Sequence, residues 1–458
     1  MANNKAKSHP NILYLHCHDA GRYIQPFGYS VLTPNLQRLA EDGVLFRKAF
    51  CGNPTCSPSR ACLLTGQSAH SAGMLGLAHR GWTLRDYGKT LMNFLRGHGY
   101  RTALCGQQHI AIPPFANPSE GGYDEILTLD TDFEKPIEEV RSFLARRQTS
   151  PFFLDVGLFA PHRNGTGGDF PRTAPPNDSR YVMPPPTLPD NPITRSDFAL
   201  YQSSIRSTDE AFGQVLNALE ENNLRENTLV VCTTDHGIAF PHMKCRLTDH
   251  GLGVFLILRG PGSFSGGRVI DSLVSQIDIF PTICEWLGVD PPDWLEGKSF
   301  LGLANGAQEN TRNAVFAEVN FHASQEPGRA VRTDRWKYIR RYTDYDKTIL
   351  PNIDNSLSKR YLHERGLAER TEPGELLFDL DFDPQESCNL AMDPDCAELK
   401  KELAYLLERW MSETADPLLE GRLPRTEGII ETPPDQFDST GGEPDFTELP
   451  PVGNSPKT

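Results

Sequence analysis

Residues 51–66 read CGNPTCSPSRACLLTG, and this stretch decides both the fold and the chemistry expected of the chain. At its centre stands Cys56-Ser57-Pro58-Ser59-Arg60. Pro58 suits the first turn of a helix, where its missing N–H would lack an intrahelical partner anyway. Ala61-Cys62-Leu63-Leu64-Thr65 supplies a short apolar face and Gly66 a stop. Cys56 is thereby expected at a helix N-terminus, where free N–H groups and the positive end of the dipole favour an anion. Arg60, one turn on, adds a cationic fork suited to oxyanions. A buried thiol would account for Cys56 alone, but not for Pro58 and Arg60 with it. The stretch reads as a nucleophile set in an anion site.

Working outward, Asn11 to Leu15 (NILYL) is a short apolar run with turn-forming residues after it, the pattern of a buried parallel strand. His16-Cys17-His18-Asp19 follows at its C-terminal end. Thr33-Pro34 opens a helix with Leu36, Leu39 and Ala40 on one face and Gly43 as its stop. Val44 to Phe50 is a strand leading into the signature, Leu84 to His98 a helix, and Arg101 to Cys105 a strand ending at Gly106-Gln107-Gln108-His109. Glu134 to Arg147 reads as a helix before the apolar run Phe152 to Phe159 and Ala160-Pro161-His162. Residues 163–192, rich in Gly and Pro, read as a long surface excursion. A helix over Asp197 to Glu220 and a strand over Leu229 to Thr233 lead to Thr234-Asp235-His236-Gly237. This alternation predicts an α/β fold with a large, mixed, mostly parallel doubly wound sheet flanked by helices. Ligands of such sheets bind beyond the carboxyl ends of the strands, where His18-Asp19, His109, His162 and Asp235-His236 all fall. Carboxylates and imidazoles together are ligands for a divalent cation.

Cys56-Ser57-Pro58-Ser59-Arg60 with Leu63-Leu64-Thr65-Gly66 after it resembles the signature of the type I sulfatases of the alkaline phosphatase superfamily. The resemblance implies that a separate formylglycine-generating enzyme oxidises Cys56 to formylglycine, whose hydrated aldehyde attacks sulfur. It implies a metal site of His18, Asp19, Asp235, His236 and residue 56, with Ca2+ as the expected ion and Mg2+ or Mn2+ as alternatives. His18 occupies a position where the family carries a further Asp. By the same resemblance His109 would be the base toward the hydrate, Gln107 stands where the family has a lysine, and His162 and Lys244 would contact sulfate and the leaving group. His322 and Arg329 could line the substrate pocket. Arg332 to Tyr342 and Glu375 to Leu380 alternate as antiparallel strands do, and a helix over Cys396 to Met411 follows. They resemble the smaller C-terminal α+β subdomain of sulfatases, with its antiparallel sheet. The expected division is 1–325 catalytic, 326–416 C-terminal subdomain and 417–458 an irregular Pro- and acid-rich tail.

The implied activity is hydrolysis of sulfate esters, or of N-sulfate groups, on a small molecule or saccharide. The His18 and Gln107 departures suggest a divergent branch near the sulfamidases. A phosphodiester or phosphonate monoester hydrolase of the same superfamily is the runner-up, and a non-catalytic carbohydrate-binding relative comes third. In the 458 residues, 60 acidic side chains outweigh 45 Lys and Arg for a formal charge of -15, which argues against nucleic-acid or anionic-membrane surfaces. The N-terminus lacks an apolar signal core and no run is long enough to span a bilayer. Ten cysteines without a tight Cys-x-x-Cys pair read as reduced thiols. Together these make the cytoplasm the expected location. The same features are compatible with a monomer or an oligomer.

Overall fold

The computed structural model describes residues 9–112, 121–164, 168–425 and 427–440. Eight strands build the large sheet: β1 Asn11–Cys17, β2 Val44–Phe50, β3 Arg101–Gly106, β4 Glu125–Thr128, β5 Phe152–Gly157, β6 Thr228–Thr234, β7 Leu256–Arg259 and β8 Arg268–Ser275. Their order is β4-β3-β5-β1-β6-β7-β2-β8. All pairings are parallel except the two that β7 makes, with β6 and with β2.

Every residue of β1 is buried, so the strand reads as an apolar run rather than an alternation. Ile12 and Tyr14 face one core layer, while Leu13, Leu15 and Cys17 face the other. Each of Ile12, Leu13 and Leu15 contributes roughly 1.5–3 kcal/mol on burial. The helix Cys56–Thr65 packs on the first layer through Ala61, Leu63 and Leu64, and Gly66 closes it in the left-handed conformation at φ 67. On the other side lies the long helix Pro192–Glu221. It starts before the expected Asp197 because Asn191 accepts from the N–H groups of Ile193 and Thr194, and the Thr194 side chain returns the bond. The expected helix over Leu84 to His98 shrinks to Leu91–Gly97, since Asp86 caps a separate short turn at Tyr87–Lys89.

The second sheet is antiparallel, in the order β12-β11-β10-β9: β9 Ala314–Phe321, β10 Gln325–Thr333, β11 Trp336–Arg341 and β12 Glu375–Asp379. Arg332 to Tyr342 is therefore not one strand. A turn after Thr333 splits it, and the Trp336 N–H donates to Thr333 Oγ1 there. β9 already belongs to this sheet, so it begins before the 325/326 junction expected from sequence. The helix Ala397–Glu413 covers the sheet through Leu403, Leu407 and Met411.

Residues 427–440 carry little regular structure but are not detached. Arg80 donates to the carbonyls of Ile430 and Ser439 and to Thr432 Oγ1. Ser324 donates to the Thr432 carbonyl. The Lys359 ammonium donates to the Phe437 carbonyl at 2.7 Å and lies over its ring. The rest of the expected tail, residues 441–458, lies outside the described residues.

Candidate active site

Cys56 is the first residue of its helix and 2 % exposed. Asp19, two residues past the end of β1, sits in the left-handed conformation at φ 48. That conformation is fixed by the Asp19 N–H, which donates to Asp235 Oδ1 at 2.9 Å. β1 and β6 are adjacent, and this brings Asp19 and Asp235 together. One oxygen or nitrogen each from His18, Asp19 and Asp235, with the Cys56 sulfur, all lie within 4.8 Å of one another.

His236 completes the cluster. Its Nδ1 donates to the Gly237 carbonyl at 2.9 Å, which leaves the Nε2 lone pair 3.4 Å from Cys56 Sγ and 3.4 Å from Asp19 Oδ1. His18 Nδ1 stands 3.1 Å from Asp235 Oδ2, but the two are misaligned. Both His18 nitrogens and Asp19 Oδ1 therefore stay buried without a hydrogen-bond partner among the described residues. Orphaned lone pairs cost free energy in a dry interior, and here they converge. That is the environment a divalent cation would satisfy, with His18, Asp19, Asp235, His236 and residue 56 as its holders.

Arg60 reaches the same cluster, donating to Asp235 Oδ2 at 3.2 Å and to the Cys17 carbonyl at 3.4 Å. Burial opposes the Asp235 charge, but His236, Arg60 and His18 more than offset it and hold the carboxyl well below its usual range. Lys244 Nζ lies 3.1 Å from Asp19 Oδ2 and 3.2 Å from Asp354 Oδ2. Burial works against the ammonium, yet the two carboxylates hold its pKa well above the ordinary value. Burial also pushes the Cys56 thiol up. The unmodified side chain is thus a poor source of thiolate.

The mouth of the site is rich in imidazole. His162 Nε2 lies 3.8 Å from Asp19 Oδ2, and its Nδ1 donates to the Arg163 carbonyl. The His109 ring, on a left-handed residue at φ 59, stacks on His79 with an interplanar angle of 2° and their nitrogens 3.1 Å apart. Burial, then the Arg60 charge, keep His109 well below the normal histidine pKa and so neutral. His322 is buried with its Nδ1 unpartnered among the described residues, and burial and Lys244 lower its pKa in the same way.

Two expected pocket residues do not join the cluster. Arg329 is fully buried, held by Asp416 at 2.5 and 2.9 Å, by Asn320 at 2.9 Å and by Glu318 at 3.5 Å. With its guanidinium committed to that network, it is a structural cation rather than a pocket-lining group. Gln107 is half-buried just past β3, and no hydrogen bond among the described residues ties its side chain to the cluster. Sequence reasoning missed Asp354, His79 and His16. A carboxylate between turn residues and a histidine beside an arginine carry no local signal.

A family model described as sulfatase matches residues 10–289. A second, described as N-sulphoglucosamine sulphohydrolase, C-terminal, matches residues 242–358. An ulvan-active sulfatase of Formosa agariphila is 29% identical over 486 residues, covering 93% of this chain and 78% of that protein. Human N-sulphoglucosamine sulphohydrolase is 29% identical over 465 residues, covering 89% of this chain and 91% of that protein. A solved structure of a protein in complex with its substrate D-glucosamine-2-N,6-O-disulfate superposes with a TM-score of 0.68 at 20% identity, over 89% of this chain and 98% of that one.

Proposed function

Because this chain belongs to the sulfatase family, we propose that it removes sulfate, as an O-ester or an N-sulfate, from a saccharide by way of a formylglycine made from Cys56. The observation that carries the reading is the placement of the Cys56 sulfur within 4.8 Å of donors from His18, Asp19 and Asp235. The saccharide substrate is supported by the substrate-bound neighbour and by the human relative's name. A formylglycine-generating enzyme would act on Cys56 during maturation.

A hydrated formylglycine supplies a hydroxyl nucleophile and a second hydroxyl through which sulfate can later be expelled. A bound divalent cation lowers the pKa of such a hydroxyl and offsets oxyanion charge. Ca2+ is the first candidate ion, and the two imidazoles in the donor set bring Mn2+ into competition. Lys244 holds the sulfate oxygens, and Arg60, fixed on Asp235 beside residue 56, adds positive charge that stabilises what develops on them. Neutral His109 accepts a proton from the residue 56 side chain, with His79 holding its ring. Lys244, or His162 through Nε2, serves as the proton donor to the leaving oxygen or nitrogen.

The test joins mass spectrometry of the peptide bearing position 56 with turnover of nitrophenyl sulfate, N-sulfoglucosamine and a nitrophenyl phosphodiester. The reading expects aldehyde at position 56 when the protein is made beside a formylglycine-generating enzyme, and loss of sulfate release in Cys56→Ala. Undiminished hydrolysis by Cys56→Ala, or far faster turnover of the phosphodiester, overturns it.

A further inference from the structure

Arg60 has a second set of partners on the side away from the reacting centre. Its Nη1 lies 2.6 Å from His16 Nδ1, His16 Nε2 lies 2.7 Å from Asp155 Oδ1, and Tyr123 donates to Asp155 Oδ2 at 2.5 Å. His16 is 1 % exposed, and Asp155 and Tyr123 are fully buried. A guanidinium can only donate, so His16 Nδ1 accepts and the ring proton sits on Nε2, facing Asp155. The directions are consistent from end to end: Arg60 donates to His16, His16 donates to Asp155, and Tyr123 donates to Asp155.

The fold makes room for this imidazole. His16 pairs with Gly157 across β1 and β5, and a Cβ on Gly157 would stand 2.5 Å from the His16 ring. The ring also stacks on Tyr14 at 4.3 Å between centroids. A lone guanidinium in a dry interior needs its donors filled and its charge matched. Asp235 matches the charge and takes Nη2 on one side, and the His16–Asp155 pair takes Nη1 on the other, while Nε has no partner among the described residues.

We propose that His16 and Asp155 are positioning residues for the sulfatase reaction: by fixing one tautomer of His16, Asp155 locks the Arg60 guanidinium onto Asp235 beside residue 56. The proposal rests on the role given above to Cys56 and Arg60. Asp155→Asn keeps the shape but replaces the carboxylate with a neutral amide. Its oxygen still accepts from His16 Nε2 while its nitrogen turns to the Tyr123 hydroxyl, so the imidazole keeps its tautomer, loses the charge behind it and holds Arg60 less firmly.

Two measurements test it. In metal-free protein labelled with 15N-histidine, with His16 assigned by its absence in His16→Leu, the wild type shows the proton on Nε2 in a bond to the Asp155 carboxylate, and Asp155→Asn moves that N–H proton resonance upfield. In holoenzyme, with kcat normalised to the aldehyde content at position 56, Asp155→Asn and His16→Leu lose kcat by about 10- to 100-fold while KM moves by less than about threefold. Tyr123→Phe, which removes one donor and no charge, falls in the same direction by less and serves if Asp155→Asn does not fold. A wild-type His16 protonated on Nδ1 overturns the inference, and so does an Asp155→Asn enzyme with wild-type kcat. Inactive wild type with aldehyde present would instead sink the sulfatase reading itself.

Discussion

The Asp354 carboxylate lies 3.2 Å from the Lys244 ammonium, although 110 residues separate them. Burial disfavours the Asp354 charge, but Lys244, His162 and His322 more than offset that and keep the carboxyl below its ordinary range. Asp354→Asn removes one of the two charges that centre Lys244. The expected outcome is a loss of about 1–3 kcal/mol in denaturant unfolding and a fall of about tenfold or more in kcat/KM. Full activity would mean that Asp19 alone positions the lysine.

Chelation separates the cation from the rest of the site. Without a cation, His18 and Asp19 keep their buried orphan atoms, so the metal-free protein should melt lower. Re-addition at a hundred times the dissociation constant restores about 2.7 kcal/mol. Asp235→Asn should abolish most of that metal-dependent shift in Tm. A wild-type Tm indifferent to every divalent ion in a calorimetric panel would contradict the assignment of these donors.

Lys359 is buried, and its ammonium donates to the Ile353 carbonyl, to Asn355 Oδ1 and to the Phe437 carbonyl. Burial pushes its pKa down from 10.5 to about 7. Between these values the unfolded chain holds a proton that the folded one has lost, so this lysine makes stability rise with pH across that window. Lys359→Met should flatten the rise. It should also speed hydrogen exchange in residues 427–440, because the anchor on Phe437 is gone.

Arg329 separates a structural cation from a substrate-binding one. Arg329→Met strands Asp416 and Glu318 without their counter-charge and should cost about 3–5 kcal/mol in urea unfolding. The fraction that folds should keep KM within about twofold. A selective rise in KM would return Arg329 to the pocket.

The parts of the fold written in short-range patterns were legible. β1 and β2 are apolar runs bounded by turn residues, and the signature helix carries its own start and stop. The hairpin of β10 and β11 was misread because Arg332 to Tyr342 alternates in sequence straight through its turn. β8 went unseen because it is only half covered, with Val269 exposed, and so lacks the apolar run that marked β1. The cluster of His18, Asp19, Asp235 and His236 was legible because these residues follow two strands that end at the same sheet edge. The His16–Asp155 pair was not, for its members lie 139 residues apart and meet only when β1 and β5 pair. Asp354 has the same history. It becomes a site residue only when the chain after β11 folds back over Lys244.

The 2 % exposure of Cys56 also bears on timing. Its sulfur is buried, 3.4 Å from His236 Nε2, and out of reach of a macromolecule in the folded chain. A catalyst that is to oxidise that side chain must find it on the nascent or unfolded polypeptide. Under the maturation proposed for Cys56, the rate at which β1, β2 and β6 assemble around it sets a deadline, and a variant that folds faster would emerge more stable, better expressed and inert.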